Sequence, residues 1–246
     1  MHLDGEAGRG FFLTLEGPEG SGKSTQAQRL AARLVAAGVP CVVTREPGGT
    51  ALGEAVRQIL LHAPELSPVP AADALLFSAA RAQLAAEVIE PALARGEVVI
   101  CDRFGDSTLA YQGFGSGQPL EALRSLQSFA VGDLRPDLTI LIDLPVEVGL
   151  GRKQPDEMTR FEERADVAFH RRVRDGFLDL AAAEPARFAI IDGRRAIEAI
   201  EESIFQAVRG RLPVGLGLPE STNPGDQGDS PVHSSEPERN SLRMNR

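Results

Sequence analysis

Gly17-Pro18-Glu19-Gly20-Ser21-Gly22-Lys23-Ser24 decides the fold. The octet matches Gly-x-x-x-x-Gly-Lys-Ser/Thr at every fixed position. An apolar, strand-like run, FFLTLE, precedes it, and a segment with helical spacing, STQAQRLAARLVAAG, follows. A phosphate-wrapping loop has to stand between those two elements. Glycines let the backbone close on phosphate oxygens and turn its N–H groups inward. The next helix presents the positive end of its dipole to the same anion. Lys23 is placed to bridge β- and γ-phosphates, and the Ser24 hydroxyl to ligate Mg²⁺.

Outward from the loop, short apolar runs recur at residues 11–16, 41–44, 97–102, 138–143 and 187–192. Each is rich in Val, Ile, Leu or Phe and too short for a typical helix. Segments between them space apolar residues by three or four, as in Leu30, Leu34 and Val35, or Val56, Ile59 and Leu60. Strand–helix alternation of this kind predicts right-handed βαβ crossovers and a parallel sheet covered on both faces. Pro91 lies inside an otherwise helical stretch and predicts a kink or break.

The 246 residues are 42% hydrophobic and 25% charged, which suits a globular body. No apolar stretch approaches the roughly 18 residues of a membrane span. The first ten residues lack the basic-then-apolar order of a secretory signal. A net charge of −9 argues against a nucleic-acid surface, although one basic pocket for a small anion stays compatible with it. The two cysteines, Cys41 and Cys101, lie in apolar runs and read as buried reduced thiols. Residues 1–10 read as a flexible leader and 11–212 as the folded domain. Residues 213–246, rich in Gly, Pro, Ser and Asn, read as a disordered tail that buries too little apolar surface to order.

Three more stretches carry chemistry. Arg45-Glu46-Pro47-Gly48-Gly49-Thr50 follows the second strand. DRFGDSTLAYQG, from Asp102 to Gly113, follows the third. In a parallel sheet both face the crevice at the strand C-terminal ends. Between them, Phe77 and Arg81 stand four apart and share a helix face, an aromatic plane one turn from a cation. That pair suits a stacked, hydrogen-bonded base.

With these markers the chain resembles the thymidylate kinases, in particular the bacterial type, over residues 11–211. The resemblance implies an α/β, three-layer P-loop nucleoside-monophosphate-kinase-like fold with a five-stranded parallel sheet, helices on both faces and a short lid. It implies transfer of the γ-phosphoryl of ATP to dTMP, with Mg²⁺, for dTTP synthesis. It also implies a cytoplasmic homodimer. ATP would sit on Gly17, Pro18, Glu19, Gly20, Ser21, Gly22, Lys23 and Ser24, and the metal near Ser24 and Asp102. Arg45 and Arg103 match the positions that hold the dTMP phosphate, and Glu19 matches a carboxylate near the sugar 3′-OH and that phosphate. Phe77 would stack on thymine, with Arg81 and Thr108 at its edge and Gln112 as a further partner. Pro47 would wall the 5-methyl group, and Tyr111 would crowd the sugar C2′ position. Phe104 stands where the family often has Tyr or His.

The acceptor oxygen is already anionic and needs no general base. Repulsion between two anions is the obstacle, so cations and positioning should do the catalysis. Residues 149–162, GLGRKQPDEMTRFE, read as a mobile lid between helices, with Arg152, Lys153 and Arg160 as its basic residues. Thr159 stands where relatives usually carry Asp. Arg152 is the residue expected to cover adenine or phosphates, with Lys153 as its substitute. Catalysis is thus expected from Lys23, Glu19, Arg103 and Arg152. Beyond the lid, residues 161–183 predict a helix with Arg171, Arg172 and Arg174 on an exposed basic face and His170 structural or exposed.

Overall fold

The computed structural model describes residues 9–63, 65–152, 166–213 and 216. Five strands form one sheet in the order β2-β3-β1-β4-β5: β1 (Phe11–Glu16), β2 (Cys41–Arg45), β3 (Val98–Asp102), β4 (Leu138–Asp143) and β5 (Phe188–Asp192). Every pairing is parallel. The chain leaves β1 through helix α1 (Lys23–Ala36), skips a place and lays down β2; β3 then fills the gap. Later strands add on the other side of β1, so the order reverses at β1 and opens a crevice at the strand C-termini.

Alternate side chains of β1 point to opposite faces, as strand geometry requires. Phe11, Leu13 and Leu15 pack with Leu30 and Leu34 of α1 and with Ile200, Ile204 and Val208 of α9 (Ile197–Arg209). Phe12 goes to the other face, with Val99, Leu84 and Ile89. A third cluster sets Leu141 and Phe188 against Val173, Phe177 and Leu180 of α8 (Val167–Ala183). The sheet is therefore the middle of three layers. Deleting a buried leucine such as Leu13 or Leu34 should cost about 2–5 kcal/mol.

The helix α3 (Pro70–Leu84) shows why the stretch around Pro91 does not stay regular. It widens into a π-helical turn, Ala85–Ile89, before α4 (Glu90–Ala94) begins. Pro91 sits at the start of α4, where its missing N–H matters least. A second π-helical segment, Leu109–Gly115, follows the single turn α5 (Gly105–Thr108). It brings Tyr111 and Gln112 to the crevice. The remaining helices are α2 (Ala51–His62), α6 (Leu120–Val131) and α7 (Val146–Leu150).

Some expectations need correction. β2 runs one residue further, through Arg45, while β3 and β5 each start one residue later. Of the α8 arginines, Arg171 and Arg172 are exposed as expected and Arg174 is half-buried, but all three have acceptors. Arg171 pairs with Glu147, Arg172 donates to the Gly115 carbonyl at 2.9 Å, and Arg174 pairs with Asp143 at 2.7 Å. They tie α8 to α7, the π-helical segment and β4. His170 is buried, and Cys101 is buried, but Cys41 is only half-buried; both thiols are free. Arg9 and Gly10, the end of the expected leader, are held by Asp137 and by the Leu93 carbonyl. Most of the leader, the tail, Lys153, Thr159 and Arg160 lie outside the described residues.

Candidate active site

Sheet register builds the site. Leu15, Asp102 and Arg45 lie in one row across β1, β3 and β2, so the loops that follow all open at one level. There they enclose a cleft of about 500 Å³. Its walls include Glu19, Gly20, Gly22, Lys23, Ser24, Arg45, Pro47, Phe77, Arg81, Asp102, Arg103, Thr108, Tyr111, Gln112 and Arg152. Gly17, Pro18 and Ser21, also expected at the site, are buried and do not line the cleft; each accepts a hydrogen bond from Lys23.

The glycine loop is shaped by close approach. Gly20 has φ +67, and a Cβ there would meet the Gly149 carbonyl oxygen at 2.0 Å. Gly17 has φ +143, and its Cβ would meet the Ile142 carbonyl oxygen at 2.4 Å. Only glycine satisfies both the backbone and the space at these positions. Lys23 folds back over the loop and donates to the carbonyls of Gly17 (3.2 Å) and Pro18 (3.0 Å) and to the Ser21 hydroxyl (3.1 Å). Burial and the nearby Arg103 guanidinium lower its pKa to about 8. The Ser24 hydroxyl donates to Asp102.

Arg103 has φ +70, the one non-glycine residue in the left-handed region among those described. Its guanidinium donates to the Gly17 carbonyl at 3.1 Å, the Ser107 hydroxyl at 3.2 Å, Glu19 at 2.9 Å and the Tyr111 hydroxyl at 3.1 Å. Tyr111 in turn donates to Glu19 at 2.6 Å. Burial opposes the Arg103 charge, but Tyr111, Glu19, Glu16 and Asp102 outweigh it and hold its pKa above the usual value. Burial raises the Tyr111 pKa well above that of a free phenol, so its hydroxyl stays protonated.

On the other wall, Arg81 is 1% exposed and gripped by Glu46 at 2.7–3.0 Å. Its Nη2 also donates to the Thr108 hydroxyl at 2.9 Å. Its Nη1 is buried with no hydrogen-bond partner among the described residues. Arg45 pairs with Glu54 at 2.9 Å, and Glu54 also accepts from the Gly49 N–H, which with the arginine keeps its pKa below normal. Arg152 donates to the carbonyls of Gly20 (3.3 Å) and Gly193 (3.1 Å), joining the glycine loop to the end of β5.

Sequence reading missed Glu16, Glu46, Glu54, Arg57 and Ser107. Glu46 and Ser107 lie inside stretches already singled out, next to residues given roles. Arg57 lines the cleft and donates to the Pro47 carbonyl at 2.9 Å, but it sits on α2, where only the apolar spacing was informative.

A phosphate loop at a sheet switch point, facing a second wall of buried cations, defines a P-loop nucleoside-monophosphate kinase. The chain matches the thymidylate kinase family over residues 15–204. A thymidylate kinase of Deinococcus radiodurans is 53% identical over 207 residues, covering 82% of this chain and 98% of that one. One from Geobacter sulfurreducens is 50% identical over 211 residues, covering 83% and 99%. The crystal structure of the Ehrlichia chaffeensis thymidylate kinase superposes with a TM-score of 0.67 at 36% identity, covering 81% of this chain and 99% of that one. The chain belongs to the thymidylate kinase family, phosphotransferases that move the γ-phosphoryl group of ATP to dTMP and yield dTDP and ADP. Among the described residues no helix is long and apolar enough to cross a membrane.

Proposed function

We propose a division of the cleft into two anion sites that share one hinge point. The observation that carries it is that Lys23 and Arg103 both donate to the Gly17 carbonyl oxygen, at 3.2 and 3.1 Å. The cation of the donor half and the cation of the acceptor half are thus fixed side by side. Residues 17–24 take the ATP phosphates, with Lys23 spanning the β- and γ-oxygens and Arg152 closing over the nucleotide. Arg45 and Arg103 take the dTMP phosphate. Glu19, held by Arg103 and Tyr111, faces the sugar 3′-OH and the acceptor phosphate. Lys23 and Arg103 then offset repulsion as the acceptor oxygen attacks in line.

Thymine lies on Phe77 with its polar edge toward Arg81 and Thr108. The buried, partnerless Nη1 of Arg81 supports this, because an unmade hydrogen bond at a buried donor is unfavourable until a ligand supplies the acceptor. Gln112 adds to the edge, Pro47 walls the 5-methyl group, and Tyr111 stands against C2′ and disfavours ribose. Ser24 and Asp102 fit Mg²⁺: a hydroxyl and a carboxylate already in contact beside the loop. Few protein ligands suffice for an ion that keeps water and phosphate oxygens. When bound, Mg²⁺ offsets charge on the donor phosphates.

We place the protein in the cytoplasm, which its two free cysteines favour. A homodimer through α2, α3 and α6 is supported by Ile59, Leu75 and Phe129, all exposed, Phe129 at 90%. The deciding experiment is ADP release by the purified chain with dTMP, dUMP, UMP and dCMP. A clear preference for dTMP, lost in Lys23→Ala, is expected; equal use of the four monophosphates refutes the base-site assignment.

A further inference from the structure

Glu16 ends β1 fully buried under the catalytic wall, and the roles given above do not use it. Its Oε1 accepts the Phe104 N–H at 2.7 Å. Its Oε2 accepts from the Ser107 hydroxyl at 2.6 Å. Both contacts fall on residues that follow Arg103. Phe104 is the residue after it, and the Ser107 oxygen receives the Arg103 Nη1 at 3.2 Å. Arg103 also holds a left-handed φ of +70, a conformation that a non-glycine residue keeps only under constraint from its surroundings. The backbone supplies one restraint before the turn, Arg103 N–H to the Leu15 carbonyl at 3.0 Å. Glu16 supplies the restraint after it.

We propose that Glu16 is a positioning residue for the acceptor half of the site. Its carboxyl group clamps the turn from Phe104 to Ser107, so that the strained Arg103 delivers its guanidinium to the dTMP phosphate. The chemistry suits the task. A two-oxygen acceptor grips one backbone N–H and one hydroxyl at once, and both donors need satisfying where water is excluded. Burying a carboxyl is unfavourable, and burial together with Asp106 raises its pKa to about 8. A residue kept there at that expense is better explained by what it holds than by stability. The Asp106 carboxylate, itself part of that turn, is taken up by Arg187 at 2.6 Å, so of these two acids Glu16 is the one that accepts the Phe104 N–H and the Ser107 hydroxyl.

The inference rests on Arg103 serving dTMP, and the test separates the two. Steady-state kinetics on the full chain would compare Glu16→Ala, Glu16→Gln, Ser107→Ala and Arg103→Ala. Glu16→Ala should lower kcat/KM for dTMP about tenfold or more, with KM for ATP within about twofold of wild type. Glu16→Gln keeps an acceptor for the Phe104 N–H and a polar group toward Ser107, so it should recover most of that loss. Ser107→Ala leaves β1 untouched and should raise KM for dTMP about threefold. It keeps the proposal testable if Glu16→Ala does not fold. Equal loss on the ATP and dTMP sides, no rescue by Gln, or an unchanged KM for dTMP in Ser107→Ala would overturn the role of Glu16. An Arg103→Ala protein with normal dTMP kinetics would instead overturn the reading of Arg103.

Discussion

Arg81 and Glu46 form a buried ion pair, 1% and 4% exposed, whose two partners stand 35 residues apart in the chain. Glu46 holds Nε and Nη2 of the guanidinium and leaves Nη1 buried without a hydrogen-bond partner among the described residues. Burial raises the Glu46 pKa and the arginine counters it, so the pair survives only as a unit. Two consequences differ. Arg81→Ala should raise KM for dTMP at least about tenfold and leave KM for ATP near wild type. Glu46→Ala strands a buried cation and should lower unfolding free energy by roughly 3–5 kcal/mol. Initial rates and denaturant titration check them.

Lys23 titrates near 8 because burial and Arg103 disfavour its charge. In the free protein the ammonium is therefore lost as pH rises through that value. kcat/KM for ATP should show a descending limb near 8, while the limb in kcat should move upward, since bound phosphates favour the charged form. Lys23→Ala should lose about 100-fold in kcat. Rates across a pH series decide it. A limb that vanishes in Glu16→Gln would belong to Glu16 instead.

Glu16 makes a stability prediction of its own. Its pKa moves from 4.5 to about 8 on folding. Between those values the folded chain holds a proton that the unfolded chain releases. Its contribution is complete below 4.5 and is lost as pH rises through about 8. The amide of Glu16→Gln has no such proton. The Tm difference between variant and wild type should shift in the variant's favour across that window, and a difference flat in pH would contradict the burial effect.

Asp102→Asn keeps a partner for the Ser24 hydroxyl but removes a charge. It should raise the Mg²⁺ concentration for half-maximal rate about tenfold, without changing KM for dTMP. Chelation of divalent ions should abolish turnover, with recovery on adding Mg²⁺.

Phe129→Glu replaces the exposed aromatic side chain of α6 with a charge. Sedimentation of the full chain should show the dimer converted to monomer. A wild-type chain that sediments as a monomer would remove the proposed interface.

Much of the site was readable because its motifs are contiguous. The phosphate loop needs eight successive residues between a strand and a helix, and the chain spells them out from Gly17 to Ser24. Apolar periodicity located all five strands to within a residue at their ends. Phe77 and Arg81, four apart on α3, were readable as neighbours on one helix face, and both line the cleft. What escaped were acids whose meaning depends on distant partners. Glu46 looked like a loop residue until Arg81 closed on it. Glu16 looked like the polar end of a strand, yet its partners lie 88 and 91 residues away. The pairing of the α8 arginines was hidden because their acceptors belong to three other elements.

The amino-acid order alone therefore specified the architecture, the phosphate cradle and the kind of cleft, all consequences of local spacing and burial. Three-dimensional assembly settled the rest. Parallel register aligns Leu15, Arg45 and Asp102, and the turn after β3 then forces Arg103 to φ +70 above the Glu16 carboxyl. No neighbour in sequence dictates that arrangement; it arises because buried charges must find acceptors wherever packing brings them.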